Sequence, residues 1–182
     1  MMRTEILIAI IIGALTYSFA LHFIRTDDIN KALPPATEIT NFEFNAIDGR
    51  KIAFKDINED IIILNFWASW CAPCIKEFPA LIKATQEYPA NVKLIALSSD
   101  EDEENITRFL KTQNISQTSN IIIAHDKEQK ITKGLFKIHA LPKTYLIDSN
   151  KEIFQIIEGG AWNYNMLKNH IEMLLGSIEN HS

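Results

Sequence analysis

The chain has 182 residues, a formal net charge of −5 and 47% hydrophobic residues. That length and apolar content suit one domain with a sizeable core plus a tail, and the absence of a basic footprint argues against nucleic acid as a partner. Two cysteines are too few for a disulfide scaffold or a four-ligand cysteine zinc site.

Residues 6–24 are almost entirely apolar, with His22 the main interruption. The run is about long enough to cross a bilayer as a helix. Arg3 precedes it and Arg25 follows it, but Glu5, Asp27 and Asp28 blur the charge asymmetry; an inside N-terminus is the default orientation. Ser18-Phe19-Ala20 also fits a signal-peptidase site. Because the apolar run continues past it, residues 1–25 read as an uncleaved transmembrane anchor in preference to a cleaved signal peptide. Either reading places the rest of the chain outside the cytoplasm, in the periplasm or an equivalent space. Residues 26–40 are polar, carry Pro34-Pro35 and read as a linker to a domain over 41–178.

Phe42-Glu43-Phe44 alternates, and Asp48-Gly49 is a turn signal before Lys51-Ile52-Ala53-Phe54. That pattern predicts a β-hairpin. Ile61–Trp67 begins as a continuous apolar run, the signature of a buried strand. Ile75, Phe78, Leu81 and Ile82 then recur at helical spacing, which predicts a helix over Cys71–Tyr88. Pro79 falls inside it and is expected to kink it, since it removes the bond to the Ile75 carbonyl.

Both cysteines sit where that strand gives way to that helix, as Cys71-Ala72-Pro73-Cys74. A first helical turn offers free N–H groups and partial positive charge, which favour a thiolate, the form that attacks disulfides. Pro73 fits there because its missing N–H would have no helical partner. Residues three apart share a helix face, so the two sulfurs can close a disulfide. Cys71 is assigned as the attacking, more exposed thiol and Cys74 as the resolving one. The competing readings are zinc, for which the five scattered His and the lone Cys pair offer no ligand set, and a permanent structural disulfide, which would close too short a loop to constrain much.

Val92–Leu97 predicts the next strand, completing a parallel strand–helix–strand crossover. The acidic cluster Asp100–Glu104 reads as the solvated start of a helix over about 101–113, rather than a metal site. Ile121–Ile123 is a short strand, followed by a short helix from Glu128 to a stop at Gly134. Thr144–Ile147 and Glu152–Ile157 pair as antiparallel strands across Asp148-Ser149-Asn150, and Gly159-Gly160 break the second. The last helix runs from Trp162 to Leu175, with Gly176 as its stop.

The segment Phe66-Trp67-Ala68-Ser69-Trp70-Cys71-Ala72-Pro73-Cys74, followed by Glu77 and Pro79, resembles the thioredoxin superfamily, in particular its membrane-tethered branch of TlpA-, ResA- and DsbE/CcmG-type proteins. Leu141-Pro142-Lys143-Thr144-Tyr145-Leu146-Ile147-Asp148 is similar to that family's cis-proline loop and following strand. The resemblance covers roughly residues 35–176. It implies an α/β thioredoxin-like fold: a central mixed β-sheet flanked by helices, with an N-terminal β-hairpin extension and a helix–strand insertion. It implies a thiol–disulfide oxidoreductase that uses no cofactor and no metal. Pro142 would lie in cis against the cysteines, and the backbone of Leu141 would pair with an extended substrate; a trans proline entering an edge strand is the other reading.

Asn65 stands where thioredoxin has a buried aspartate that moves a proton for the resolving cysteine, and an amide cannot do this. Glu77, on the same helical face as Cys74, is the candidate replacement, against a plain solvated glutamate. Trp67 reads as core. Trp70, with Ala72 and Pro73, reads as substrate-contacting surface, plain packing being the alternative for Trp70. Lys143 departs from the acid that the DsbE/CcmG type tends to carry, and His139 reads as a surface residue. The uncharged Ala72-Pro73 is similar to the reducing end of the family, whose potentials run from about −270 mV for thioredoxin to about −120 mV for DsbA. By resemblance, the clients are disulfide-containing proteins such as apocytochrome c during cytochrome c biogenesis, and electrons come from a membrane thiol carrier of the DsbD/CcdA type. Reduction of copper-site cysteines in oxidase assembly and a peroxiredoxin-like thiol peroxidase are the alternatives.

Overall fold

The computed structural model describes residue 39 and residues 41–179. The predicted anchor over 1–25 lies outside the described residues, as does the linker apart from residue 39. Among the described residues no helix is long and apolar enough to cross a membrane.

The hairpin forms as β1 (Glu43–Asn45) and β2 (Lys51–Ala53), with Phe44 opposite Ile52. Gly49 takes φ 88° in the turn, a conformation that favours glycine. Then follow β3 (Ile61–Trp67), α1 (Ala72–Glu87), β4 (Val92–Ser98), α2 (Glu103–Thr112) and β5 (Ile121–His125). A π-helical segment (Lys130–Leu135), β6 (Lys143–Asp148), β7 (Ile153–Glu158) and α3 (Tyr164–Glu179) complete the order. The main sheet is ordered β5-β4-β3-β6-β7. β3, β4 and β5 run parallel, while β6 is antiparallel to β3 and β7 to β6.

β3 is central, and all seven of its residues are buried. Its alternate side chains divide the core. Ile61, Ile63 and Trp67 pack with Phe78 and Leu81 of α1, Phe109 of α2 and Leu167 of α3. Ile62, Leu64 and Phe66 pack on the other face with Phe42, Phe44 and Phe54 from the hairpin region and with Tyr145. One-directional strand order with right-handed crossovers puts α1 and α2 on the same face. The opposite face needs other cover, and the hairpin and the π-helical segment supply it: Phe42 stacks on Phe54 at 4.9 Å, and Phe136 lies 4.8 Å from Phe66.

Three expectations are corrected. Asp100 is fully buried and precedes α2, so it is no part of a solvated helix start. Its oxygens are taken by donors from two other segments, which removes the need for water. α3 begins at Tyr164 and runs through Gly176 to Glu179. A glycine stop uses a left-handed backbone, whereas among the described residues the glycines with positive φ are Gly49 and Gly159; Ile178 still packs against the core and gives the helix reason to continue. The short helix after β5 is a π-helical segment ending at Leu135 rather than Gly134.

That segment is anchored by Asp126, which is buried. Its carboxylate accepts from the backbone N–H of Thr132 at 2.7 Å, the Thr132 hydroxyl at 2.8 Å and the Ile131 N–H at 3.1 Å. Hydrogen bonds to a charged acceptor contribute about 1.5–3 kcal/mol, and orphaned buried donors add to the loss. Asp126→Ala should therefore lower the urea unfolding free energy by about 2–4 kcal/mol, with Asp126→Asn recovering part of it. A change below about 0.5 kcal/mol would show that the segment is held otherwise.

Candidate active site

The site is built at one end of the sheet, where β3 and β4 finish and β6 begins. Trp67 pairs with Ser98, and Phe66 with Lys143. The chain leaving β3 must turn sharply into α1, and three tethers fix that turn. The Ser99 N–H donates to the Trp67 carbonyl at 2.9 Å, and the Cys71 N–H to the Ala68 carbonyl at 3.1 Å. The Asp100 carboxylate accepts from the Ser69 N–H at 2.9 Å and the Ser69 hydroxyl at 2.6 Å, while also taking the Ser98 hydroxyl at 2.6 Å. Behind it, Nε2 of His125 lies 2.8 Å from the Asp100 carbonyl, so that nitrogen is the donor.

Cys71 is the N-cap of α1. It is joined to Cys74 by a disulfide, S–S 2.05 Å, with Cα atoms 5.3 Å apart. The Cys74 N–H donates to Cys71 Sγ at 3.4 Å. Cys71 Sγ thus accepts from a helix-terminal N–H, which favours its negative form once reduced. Cys71 is 5% exposed and Cys74 1%, in the predicted order. Pro73 lies in the first turn, and α1 continues through Pro79 as one element.

The Leu141–Pro142 bond is cis. The Gly159 N–H donates to the Pro142 carbonyl at 3.1 Å, tying this loop to the end of β7. Among the described residues, Leu141 makes no backbone hydrogen bond, so its peptide groups remain available to a partner strand. Leu141 and Trp70 line a common cavity of about 310 Å³. Trp67 is in the core, whereas Trp70 is 67% exposed and is therefore no core-packing residue. Ala72 and Pro73 are exposed beside it. His139 is exposed and lines that cavity.

Glu77 is 4% exposed, and neither carboxyl oxygen has a hydrogen-bond partner among the described residues. It is therefore no solvated helix glutamate. Burial pushes its pKa up from 4.5 to about 7; the Trp162 indole N–H faces it and offsets part of that rise without reaching hydrogen-bond geometry. Asn65 is buried too, and its amide donates to the Thr144 hydroxyl at 2.9 Å.

Sequence reasoning missed two residues that shape the site. Asp100 is one. Gly160 is the other: a methyl group there would lie 2.9 Å from Pro73 Cβ and 3.7 Å from Glu77 Oε1. Only a residue without a side chain lets the backbone after β7 close over the cysteine turn and the buried carboxyl. The Gly159-Gly160 pair was the available signal, and it reads locally as a strand breaker.

The clasp on Ser69 has a direct consequence. Asp100→Ala leaves two Ser69 donors unpaired and frees the turn before Cys71. The rate of disulfide exchange at Cys71 should fall by about ten- to a hundredfold, since misplacing a reacting group by about 1 Å can cost about 10²-fold. Asp126→Ala, which disturbs another loop, should lose stability with a smaller loss of rate. Equal loss in both variants would reduce the clasp to general stability.

The cysteine turn and the cis-proline loop are the features by which known relatives can be compared. Residues 35–156 match the model of the AhpC/TSA family. The thiol-disulfide oxidoreductase ResA of Bacillus cereus is 34% identical over 123 residues, 67% of this chain and 68% of the relative. The ResA of Halalkalibacterium halodurans is 29% identical over 174 residues, 95% of this chain and 93% of the relative. Among solved structures, a thiol:disulfide interchange protein DsbE from Chlorobium tepidum superposes with a TM-score of 0.68 at 23% identity, covering 79% of this chain and 99% of its own; it supports the thioredoxin-like fold. The chain belongs to the AhpC/TSA family and, with its paired cysteines at the head of α1, to the thiol–disulfide oxidoreductases within it.

Proposed function

We propose that this protein reduces disulfides of client proteins outside the cytoplasm, tethered to a membrane by residues 1–25 through the linker 26–40, with 41–178 as the catalytic domain. The observation that carries the reading is Cys71 Sγ capping α1 and accepting the Cys74 N–H, with no charged side chain between the two cysteines. A helix terminus alone stabilises the thiolate modestly, by about 0.3–1 kcal/mol, which suits a reductant; strong oxidants stabilise it further. The apolar run over 6–24 supports the tether.

The reaction proceeds in two exchanges. The Cys71 thiolate attacks one sulfur of the client disulfide, forming a mixed disulfide and releasing the other client sulfur as thiolate. The Cys74 thiolate then attacks Cys71 Sγ, closing the intramolecular disulfide and releasing the second client thiolate. Two electrons pass to the client, both of whose thiolates take up protons. A membrane thiol carrier of the DsbD/CcdA type returns the electrons, and apocytochrome c before haem attachment is the client class proposed. Leu141 and Pro142 hold the client backbone, with Trp70, Ala72 and Pro73 as its contact surface.

Cys74→Ser should arrest the sequence at the first exchange, leaving the client covalently on Cys71; recovery of no mixed disulfide from cells would sink the reading. The reduction potential should lie below about −200 mV, and a value above about −150 mV would reassign the protein as an oxidant.

Glu77 is proposed to accept the Cys74 proton before the second exchange. A carboxyl near pKa 7 is divided between its two forms at neutral pH and can serve in either direction. It also makes stability depend on pH. Between 4.5 and about 7 the folded protein holds a proton that the unfolded chain has released. Stability is therefore greatest below pH 4.5 on this account and falls as pH rises through that window, by ~3 kcal/mol in total. Glu77→Gln should flatten this fall in the oxidised protein and change the pH profile of exchange. An unaltered profile would remove Glu77 from proton transfer.

A further inference from the structure

The chain as a whole is acidic, at −5, yet residues 127–143 carry five lysines against one glutamate. This stretch runs through the π-helical segment into the cis-proline loop. Glu128 is occupied by Lys130, and Lys143 by Glu158 at 2.6 Å. Lys133 and Lys137 are exposed and form no ion pair among the described residues.

The placement of these charges is specific. Lys133 lines the 310 Å³ cavity that Trp70 and Leu141 share, and no carboxylate lines it. Lys137 lines a second cavity, of about 480 Å³, on which Leu141 and Pro142 also border; the one carboxylate there, Glu158, is paired with Lys143. Each concavity therefore meets the loop that precedes β6 and carries an uncompensated ammonium group. Trp70 is the neighbour of Cys71, so a segment lying along Leu141 places the residues beside its cysteine into these hollows.

We propose that this face selects client segments with Asp or Glu beside the target cysteine, one carboxylate entering the cavity between Trp70 and Lys133 and a second facing Lys137. The proposal rests on the reductase reading above and names the chemistry of its client. Charge complementarity of this kind raises association rates and rejects like-charged partners more than it adds affinity. An anionic membrane surface is the other conceivable partner for lysines. The cations here border concave cavities shared with the redox site, which fit an inserted side chain better than a flat headgroup layer.

The test uses the full chain, reduced, in phosphatidylcholine vesicles, with three oxidised peptides that share a Cys-Gly-Gly-Cys core and differ only in flanking Glu, Gln or Lys. The Glu peptide should be reduced about tenfold faster than the Lys peptide at low salt, with the Gln peptide between. The gap should shrink to about twofold at about 0.5 M salt, where exposed charges are screened. The double variant Lys133→Glu, Lys137→Glu should invert the order, while Lys111→Glu, at the far end of α2, should keep it. Equal rates for all three peptides, or an order indifferent to the double variant, would overturn the proposal and leave the reductase reading standing. Failure to reduce any peptide, with insulin equally untouched, would overturn both. Protection of Lys133 and Lys137 from amine acylation by phosphatidylserine vesicles, without a peptide preference, would assign the face to lipid instead.

Discussion

One buried carboxylate holds the redox turn in place. Asp100 leaves the end of β4 and takes up both polar hydrogens of Ser69, two residues before Cys71. A charge withdrawn from water is tolerable only when its oxygens are occupied, and here the Ser98 hydroxyl completes the set. A fully satisfied polar cluster of this kind contributes specificity: the turn has one conformation in which every donor is met. The carboxyl ends of parallel strands are where open α/β sheets place their chemistry, and Asp126 does for the π-helical segment after β5 what Asp100 does for the turn after β3.

Glu77 is the counterpart that fails to satisfy this rule. It is buried almost as deeply, yet its oxygens lack hydrogen-bond partners among the described residues. The two acids therefore diverge by environment. Donors around Asp100 make it an anchor. Apolar surroundings push the Glu77 pKa to about 7 and leave it able to exchange a proton at neutral pH. The cover over it comes from Gly160 and Trp162, after the last strand. Asn65 reinforces the division: its amide donates to Thr144 across the sheet and has no ionisable proton to transfer.

Much of this was legible along the chain, because the signals were local. The limits of β3, the start of α1 and the two cysteines follow from apolar runs, helical spacing and a proline in a first turn. The cis-proline loop was legible only through family resemblance. What escaped were contacts across the sequence. Asp100 sits among four other acidic-cluster positions, and nothing local separates the one that turns inward to Ser69, 31 residues earlier, from those that face water. Gly160 reads as a strand breaker until Pro73 is seen beneath it. Gly176 reads as a stop, but a glycine ends a helix only where the backbone turns left-handed, and packing of Ile178 beyond it favours continuing. Glu77 was legible as a position on the Cys74 face, while its burial depended on elements more than 80 residues away.

The separation of these roles has a functional logic. Both sulfurs are nearly inaccessible in the oxidised state, so little of a client can be recognised through them. On the reading proposed above, reactivity is set by the head of α1 and by Glu77, within one helix. On that same proposal, selection falls to what surrounds the sulfurs at the surface: Trp70, the exposed Ala72-Pro73 and the loop ending in Pro142. That loop belongs to a different part of the chain from the cysteine helix and is tied to the end of β7 by the Gly159 N–H on the Pro142 carbonyl. Charges on it are carried by exposed side chains of another segment, so they can change without altering the backbone N–H that faces Cys71 Sγ. If the lysines select the client as proposed, a scaffold arranged this way retains one redox chemistry while its client preference is rewritten by surface charge.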